Sequence, residues 1–173
     1  MELGDGMVTL RALRDDDVPL IVAACANPET TRFTTNLPVP YTEADARAFL
    51  AYAADCWRGD DRRPYAIADA AGGAFLGMIE VRLGEVGSIG YWVAPAARRR
   101  GVATRALVLL SRWAVRDGGV ERLELITHPD NIASQRVAEK AGFVREGILR
   151  SHTRFREGRR DSVLFSLLPA DVG

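Results

Sequence analysis

The stretch Ile89-Gly90-Tyr91-Trp92-Val93-Ala94-Pro95-Ala96-Ala97-Arg98-Arg99-Arg100-Gly101-Val102-Ala103-Thr104 decides how this chain folds. Ser88 to Val93 is strand-like, and Pro95 stops the strand because it has no N–H to give a ladder. From Ala103 the period becomes helical, with Ala103, Ala106, Leu107, Leu110, Trp113 and Ala114 on one face. A strand therefore enters a helix through a loop of three arginines and a glycine. The first N–H groups of a helix lack internal partners, and the helix dipole adds partial positive charge there. Gly101 permits close backbone approach and unusual φ/ψ. Such a turn suits a diphosphate, held by main-chain donors with arginine adding charge-assisted bonds. Taken alone, Arg98-Arg99-Arg100 reads more simply as a solvated basic loop before an ordinary helix. No Gly-Lys-Ser/Thr follows, which excludes the Walker phosphate loop, and Gly-x-Gly-x-x-Gly is absent.

Working upstream, Phe75 to Leu83 and Pro64 to Ala68 are further short strands. Turns at Ala71-Gly72-Gly73 and Gly84-Glu85-Val86-Gly87 join them to Ser88–Val93 as an antiparallel meander. Thr42, with Asp45 three residues on, caps a helix whose apolar face is Ala46, Phe49, Leu50, Ala53 and Trp57. Thr34 to Tyr41, with Pro38 and Pro40, is a loop. Asp15-Asp16-Asp17 and Pro19 open an earlier helix, which Asn27-Pro28 ends. Val8 to Arg11 is a first strand. Downstream, Val120 to Thr127 is a strand, Asn131 to Ala141 a helix ended by Gly142, and two last strands (143–151 and 162–168) flank a basic loop. The order predicts an α/β fold, a mixed sheet with helices on both faces. No repeat or linker divides the chain, so residues 1–173 are expected to form a single domain.

Bulk properties exclude some classes. The 23 basic and 23 acidic residues cancel, so no overall attraction to nucleic acid or anionic membrane is expected. No apolar run approaches the roughly 20 residues that cross a bilayer. Met1–Leu10 carries Glu2 and Asp5 in place of a signal pattern, which makes a cytoplasmic protein the expectation. Cys25 and Cys56 make no metal or CxxC spacing, and neither His128 nor His152 has a second ligand at a useful interval, so no metal is predicted. Both histidines are expected to be structural or at the surface, with His152 a candidate for an acceptor pocket. Arg154, Arg156, Arg159 and Arg160, interrupted by Glu157 and Asp161, read as a solvated hairpin rather than a nucleic-acid patch.

Arg98-Arg99-Arg100-Gly101-Val102-Ala103 resembles the Gln/Arg-x-x-Gly-x-Gly/Ala signature of the GCN5-related N-acetyltransferase (GNAT) superfamily. The strand before and helix after it agree. Asn131-Ile132-Ala133-Ser134 and Val137-Ala138-Glu139-Lys140-Ala141-Gly142-Phe143 resemble the ribosomal-protein (RimJ/RimL-type) branch, as do Glu146-Gly147-Ile148-Leu149-Arg150 and Asp161. The resemblance implies a mostly antiparallel sheet with a splayed central strand pair that admits the pantetheine arm of acetyl-CoA, the acetyl donor. On that basis Trp92 and Val93 offer backbone bonds to pantetheine, and Arg98, Arg99, Arg100, Gly101, Val102, Ala103 and Thr104 cradle the diphosphate. Asn131 and Ser134 fall where the family places cofactor-contacting side chains. Relatives commonly form homodimers; the residues leave the assembly of this chain open.

The implied reaction is direct attack of a neutral amine on the thioester, so the missing Ser/His/Asp triad is no objection. A terminal α-amine costs about 1 kcal/mol to deprotonate at neutral pH, and a lysine about 4–5. A modest base therefore serves an α-amine. Glu80, on the alternation of Leu76 and Met78, is the candidate base; its alternative is a rim glutamate paired with Arg82 or another cation. Ser134 is the candidate acid toward the leaving thiolate, against the plainer reading that Asn131 and Ser134 simply cap a helix. Many relatives use tyrosine as the acid, and this helix turn lacks one. A backbone N–H near Trp92–Val93 would meet the oxyanion. The acceptor is expected to be a protein N-terminal α-amine, with an aminoglycoside, polyamine or metabolite amine as the alternative. A noncatalytic acyl-CoA-binding regulatory module would share the same cofactor loop.

Overall fold

Local signals start most elements where the sequence places them. Thr42 Oγ1 accepts from the Asp45 N–H at 3.3 Å and Asp45 Oδ2 accepts from the Thr42 N–H at 2.8 Å. This reciprocal cap opens the helix Glu43–Cys56. The computed structural model describes every residue except Asn36, Arg156 and Gly173. In chain order its elements are β1 (Leu3–Gly4), β2 (Val8–Arg11), α1 (Val18–Cys25), α2 (Pro28–Phe33), α3 (Glu43–Cys56), β3 (Arg62–Asp69), β4 (Phe75–Arg82) and β5 (Val86–Val93). Then follow α4 (Val102–Arg116), β6 (Arg122–Thr127), α5 (Ile132–Lys140), β7 (Val144–Phe155) and β8 (Gly158–Leu167). The strands form one sheet in the order β1-β2-β3-β4-β5-β6-β8-β7.

Two apolar clusters hold helices to opposite faces of that sheet. On one face Ala106, Leu107, Leu110 and Ala114 of α4 meet Ile79, Val81, Ile89, Leu123, Leu125 and Phe165. Leu107 and Leu110 have no exposure, and each fully buried leucine contributes roughly 2 kcal/mol. On the other face Val18, Ile21 and Cys25 of α1 and Ala46 of α3 pack on Ala66 and Phe75.

Four expectations need correction, the first being that Val86 and Gly87 belong to β5 and not to the turn before it. Asn27-Pro28 ends one helix and also begins another: Asn27 Oδ1 accepts from the Glu29 N–H at 3.1 Å, and proline suits the first position of α2. The segment after Ser151 is no loop. β7 and β8 continue as a paired ribbon, with Thr153 opposite Arg160, Arg154 opposite Arg159 and Phe155 opposite Gly158. Thr153 Oγ1 and Ser162 Oγ lie 2.7 Å apart, and Arg159 donates to the carbonyls of Ser151 and His152. Arg156, counted in the basic hairpin, lies outside the described residues. Leu76 departs from the alternation of Met78 and Glu80. A register shift opposite Ile67/Ala68 leaves it unpaired and turns it into the α4-side core.

One pairing positions the site. Among the described strands β5 and β6 form the sole parallel pair, and it lasts only from Val86–Arg122 to Ser88–Glu124. Beyond that point each strand follows its antiparallel partner, β5 along β4 to Gly77–Val93 and β6 along β8 to Thr127–Val163. The sheet therefore splits toward the ends of β5 and β6, the ends from which α4 and α5 start.

Candidate functional site

The split opens into a cavity of about 880 Å³. Its floor is one sheet face, with Met78, Glu80, Gly90, Trp92, Glu124 and Ile126; residues from α1 to α3 and from the β7–β8 ribbon wall it. Aromatic rings line much of it, including Phe33, Tyr41, Phe49, Tyr52 and Phe155. Burial pushes the Tyr41 phenol up to about 12 and the Cys25 thiol to about 11, so both are neutral at physiological pH.

The basic turn stands where β5 ends. Gly101 adopts φ +75°, the left-handed region glycine allows, as the residue before α4. The first α4 bond to the turn runs from the Arg105 N–H to the Gly101 carbonyl. Among the described residues, the backbone N–H groups of Arg99, Arg100, Gly101, Val102, Ala103 and Thr104 make no short, well-aligned hydrogen bond to a protein acceptor. These main-chain donors lie at and just before a helix N-terminus, the kind of place whose physics suits an anion. The three arginines do not share one role. Arg98 turns back onto α2, where its guanidinium pairs with Glu29, donates to Thr30 Oγ1 at 2.9 Å and to the Val93 carbonyl at 3.4 Å. Arg99 and Arg100 are exposed. Arg98 therefore braces the turn, which leaves its neighbours as the available cations.

Glu80 lies in the cavity floor as the alternation predicts, and it is also paired. Arg62 Nη1 donates to its Oε1 at 2.9 Å; the predicted partner type was right but Arg82 was not the residue. Tyr52 stands beside this pair, its phenol pushed up to about 12 by burial, a bond to Cys56 and the Glu80 charge. Glu124, missed in the sequence, shares the floor, held by Arg122 Nε at 2.8 Å. Its place on β6 beside the last paired residue, Ser88, depends on where the parallel pairing stops, which no local pattern reveals.

Asn131 caps α5, its Oδ1 accepting from the Ser134 N–H at 3.1 Å. The capping reading thus holds for Asn131, and its amide NH₂ remains. Ser134 does not cap through its own hydroxyl. Its Oγ lies 3.0 Å from the Tyr91 hydroxyl, and both residues line the cavity with Trp92 and Asn131. Val93 ends β5 opposite Gly77. The histidines fall within their expectation. His128 is largely enclosed in the cavity wall, its ring 5.8 Å from Phe33 and 5.6 Å from Phe155, with Nδ1 accepting from the Asp130 N–H at 3.1 Å. His152 lines the cavity too, as one reading of it allowed.

Residues 7–144 match the family model described as an acetyltransferase (GNAT) domain, well over half of the chain. The chain is 34% identical over 83 residues to the Probable N-acetyltransferase YjcK of Bacillus subtilis (strain 168). That match spans 48% of this chain and 46% of the relative, so it covers about half of the curated protein. The fold is similar to that of Mycobacterium smegmatis RimJ in complex with CoA-disulfide, with a TM-score of 0.86 at 21% identity over 99% of this chain and 88% of that one. It is similar also to RimL, a ribosomal L7/L12 alpha-N-protein acetyltransferase in complex with coenzyme A, with a TM-score of 0.85 at 16% identity over the whole of both chains. No described helix is long and apolar enough to cross a membrane.

Proposed function

The chain belongs to the GNAT acetyltransferase family, and from that membership we propose that it moves an acetyl group from acetyl-CoA directly onto a primary amine. The observation that carries the proposal is the split between β5 and β6 with free donors at its open end. An unpaired strand flank fits the amides of a pantetheine arm, and the N–H run from Arg99 to Thr104 fits the diphosphate of the same molecule. Trp92 and Val93 supply the strand backbone, Asn131 an amide, and Arg99 and Arg100 the positive charge. In this reading Glu80 takes the proton from the attacking nitrogen. The C–N bond forms as the C–S bond breaks, and Ser134 donates a hydrogen bond to the departing sulfur.

The acceptor class we favour is a protein N-terminal α-amine, as in the RimJ/RimL-type enzymes. Both floor carboxylates are already held by arginines, Glu80 by Arg62 and Glu124 by Arg122. A polycationic aminoglycoside or polyamine needs several uncommitted carboxylates, whereas one neutral amine with an apolar neighbour suits an aromatic-lined cavity. A cytoplasmic location and a homodimer belong to the same proposal. The test is coenzyme thiol release from acetyl-CoA with N-terminal peptides, polyamines and aminoglycosides as acceptors. Peptide-dependent release is the expected result; release with polyamines alone overturns the acceptor class. Binding of acetyl-CoA with no turnover on any amine would make the chain a noncatalytic acyl-CoA-binding module.

A further inference from the structure

Tyr91 has no place in the chemistry described so far, yet its position is unusual for a core aromatic. Its ring packs against the α4-side core, while its hydroxyl reaches Ser134 Oγ at 3.0 Å. Among the described residues this is the one hydrogen bond that crosses the open part of the gap between β5 and the β6–α5 segment. Both partners line the cavity. We propose that Tyr91 is a positioning residue that donates to Ser134 and so aims the Ser134 hydroxyl at the sulfur leaving the acetyl group. This inference rests on the acetyl-transfer reading above.

Chemistry sets the direction of the bond. A phenol is a stronger acid than an alkyl alcohol, and the alcohol oxygen is the better acceptor, so the favourable arrangement has Tyr91 donating. Ser134 Oγ–H is then left to point into the cavity. Burial, eased a little by the Ser134 bond, pushes the phenol up to about 12, so its proton stays in place across the physiological range. Ser134 is also held from behind, since its N–H is tied to Asn131. Linked hydroxyls polarise one another, which strengthens donation by the terminal one. The proton and electron count closes without net transfer from either hydroxyl. As the amine nitrogen bonds to the carbonyl carbon, the C–S electron pair goes to sulfur, and the nitrogen's proton goes to the base. The thiolate, steadied by Ser134, leaves and takes its proton from solvent.

The test is a pair of substitutions and their combination, read by steady-state kinetics and by calorimetric binding of acetyl-CoA. Tyr91→Phe keeps the ring and its packing. It should lower kcat about tenfold while the KM for the amine and the Kd for acetyl-CoA stay within twofold, the signature of an interaction made in the transition state. Ser134→Ala should lower kcat at least as far, and Tyr91→Phe/Ser134→Ala should be no slower than Ser134→Ala alone. Difluorotyrosine in place of Tyr91 preserves the shape but ionises at lower pH, so it should lose kcat on the alkaline side where the wild type does not; this variant serves if Tyr91→Phe does not fold. Unchanged kcat in Tyr91→Phe, or defects that multiply in the double variant, would overturn the inference while the wild type still turns over. A wild type that binds acetyl-CoA but acetylates no amine sinks the acetyl-transfer reading and takes this inference with it.

Discussion

Replacing Gly101 with alanine separates what the turn does for the fold from what it does for a ligand. In the free protein an added Cβ meets nothing within 4 Å, so no clash contributes. The cost comes from the backbone, since Gly101 sits at φ +75° and ψ 1°. Left-handed geometry costs an L-residue roughly 1–2 kcal/mol, which for a chain of this size lowers Tm by about 2–8 °C. Binding should suffer more. The open space beside Gly101 adjoins the free donors of residues 99–104, and a methyl there would keep a phosphate from one or two of them. Charge-assisted bonds contribute about 1.5–3 kcal/mol each. A loss of about 1.5–6 kcal/mol makes the Kd for CoA roughly 10- to 25,000-fold weaker. Scanning calorimetry gives the first quantity and titration calorimetry the second, with acetyl-pantetheine, which lacks the diphosphate, as a control that should be unaffected. A Tm that falls as calculated beside a Kd for CoA within threefold of wild type would refute the argument, because the turn would then be strained without holding phosphate.

Further substitutions probe other parts of the site. A Cβ on Gly77 would lie 2.4 Å from the Trp92 carbonyl oxygen and 2.9 Å from Val93 Cα; Gly77→Ala should cost about 1–3 kcal/mol in urea unfolding and weaken acetyl-CoA binding by displacing the end of β5. Glu80→Gln keeps an acceptor for Arg62 but removes the base, so kcat should fall by about 10²-fold or more with stability within about 1 kcal/mol; an unaltered rate would dismiss Glu80. Bonds from Arg122, then from Ser166, hold the Glu146 carboxyl down to about 2 against an ordinary 4.5. Its folded value is depressed, so that stabilisation is complete above about pH 4.5 and disappears as pH falls through about 2. Glu146→Gln should therefore flatten the acid limb of a Tm-versus-pH curve, and parallel limbs would show that the pairing adds nothing.

Sequence made some of this architecture legible and hid the rest for identifiable reasons. The α4 face was plain because Ala106, Leu107, Leu110 and Ala114 repeat at helical spacing and are all buried. The turn before it was plain because proline, three arginines and glycine allow few other readings. Pairing across long separations was not visible. Nothing near Arg62 announces Glu80 as its partner 18 residues away, and nothing near Tyr91 announces Ser134, 43 residues on. The division of labour among Arg98, Arg99 and Arg100 was equally hidden, since it depends on Glu29 and Thr30 of a helix that the Asn27-Pro28 signal masked. A register shift moved Leu76 to the other face for the same reason: a bulge belongs to two strands at once.

The brevity of the β5–β6 pairing has a consequence for how the molecule avoids its own kind. Exposed strand flanks invite foreign strands, and peripheral ones are commonly shortened or bent. Here β1 is two residues long, and outermost β7 is interrupted by register shifts and by Ser151 at φ 51°. The flank of β5 left unpaired by β6 instead lies within the sheet, with Ile89 to Trp92 lining the cavity. If the proposed function holds, a thin linear chain carrying amides threads in where a second sheet has no room. On the proposed function, an aggregation hazard becomes a sieve that admits visitors by their thickness.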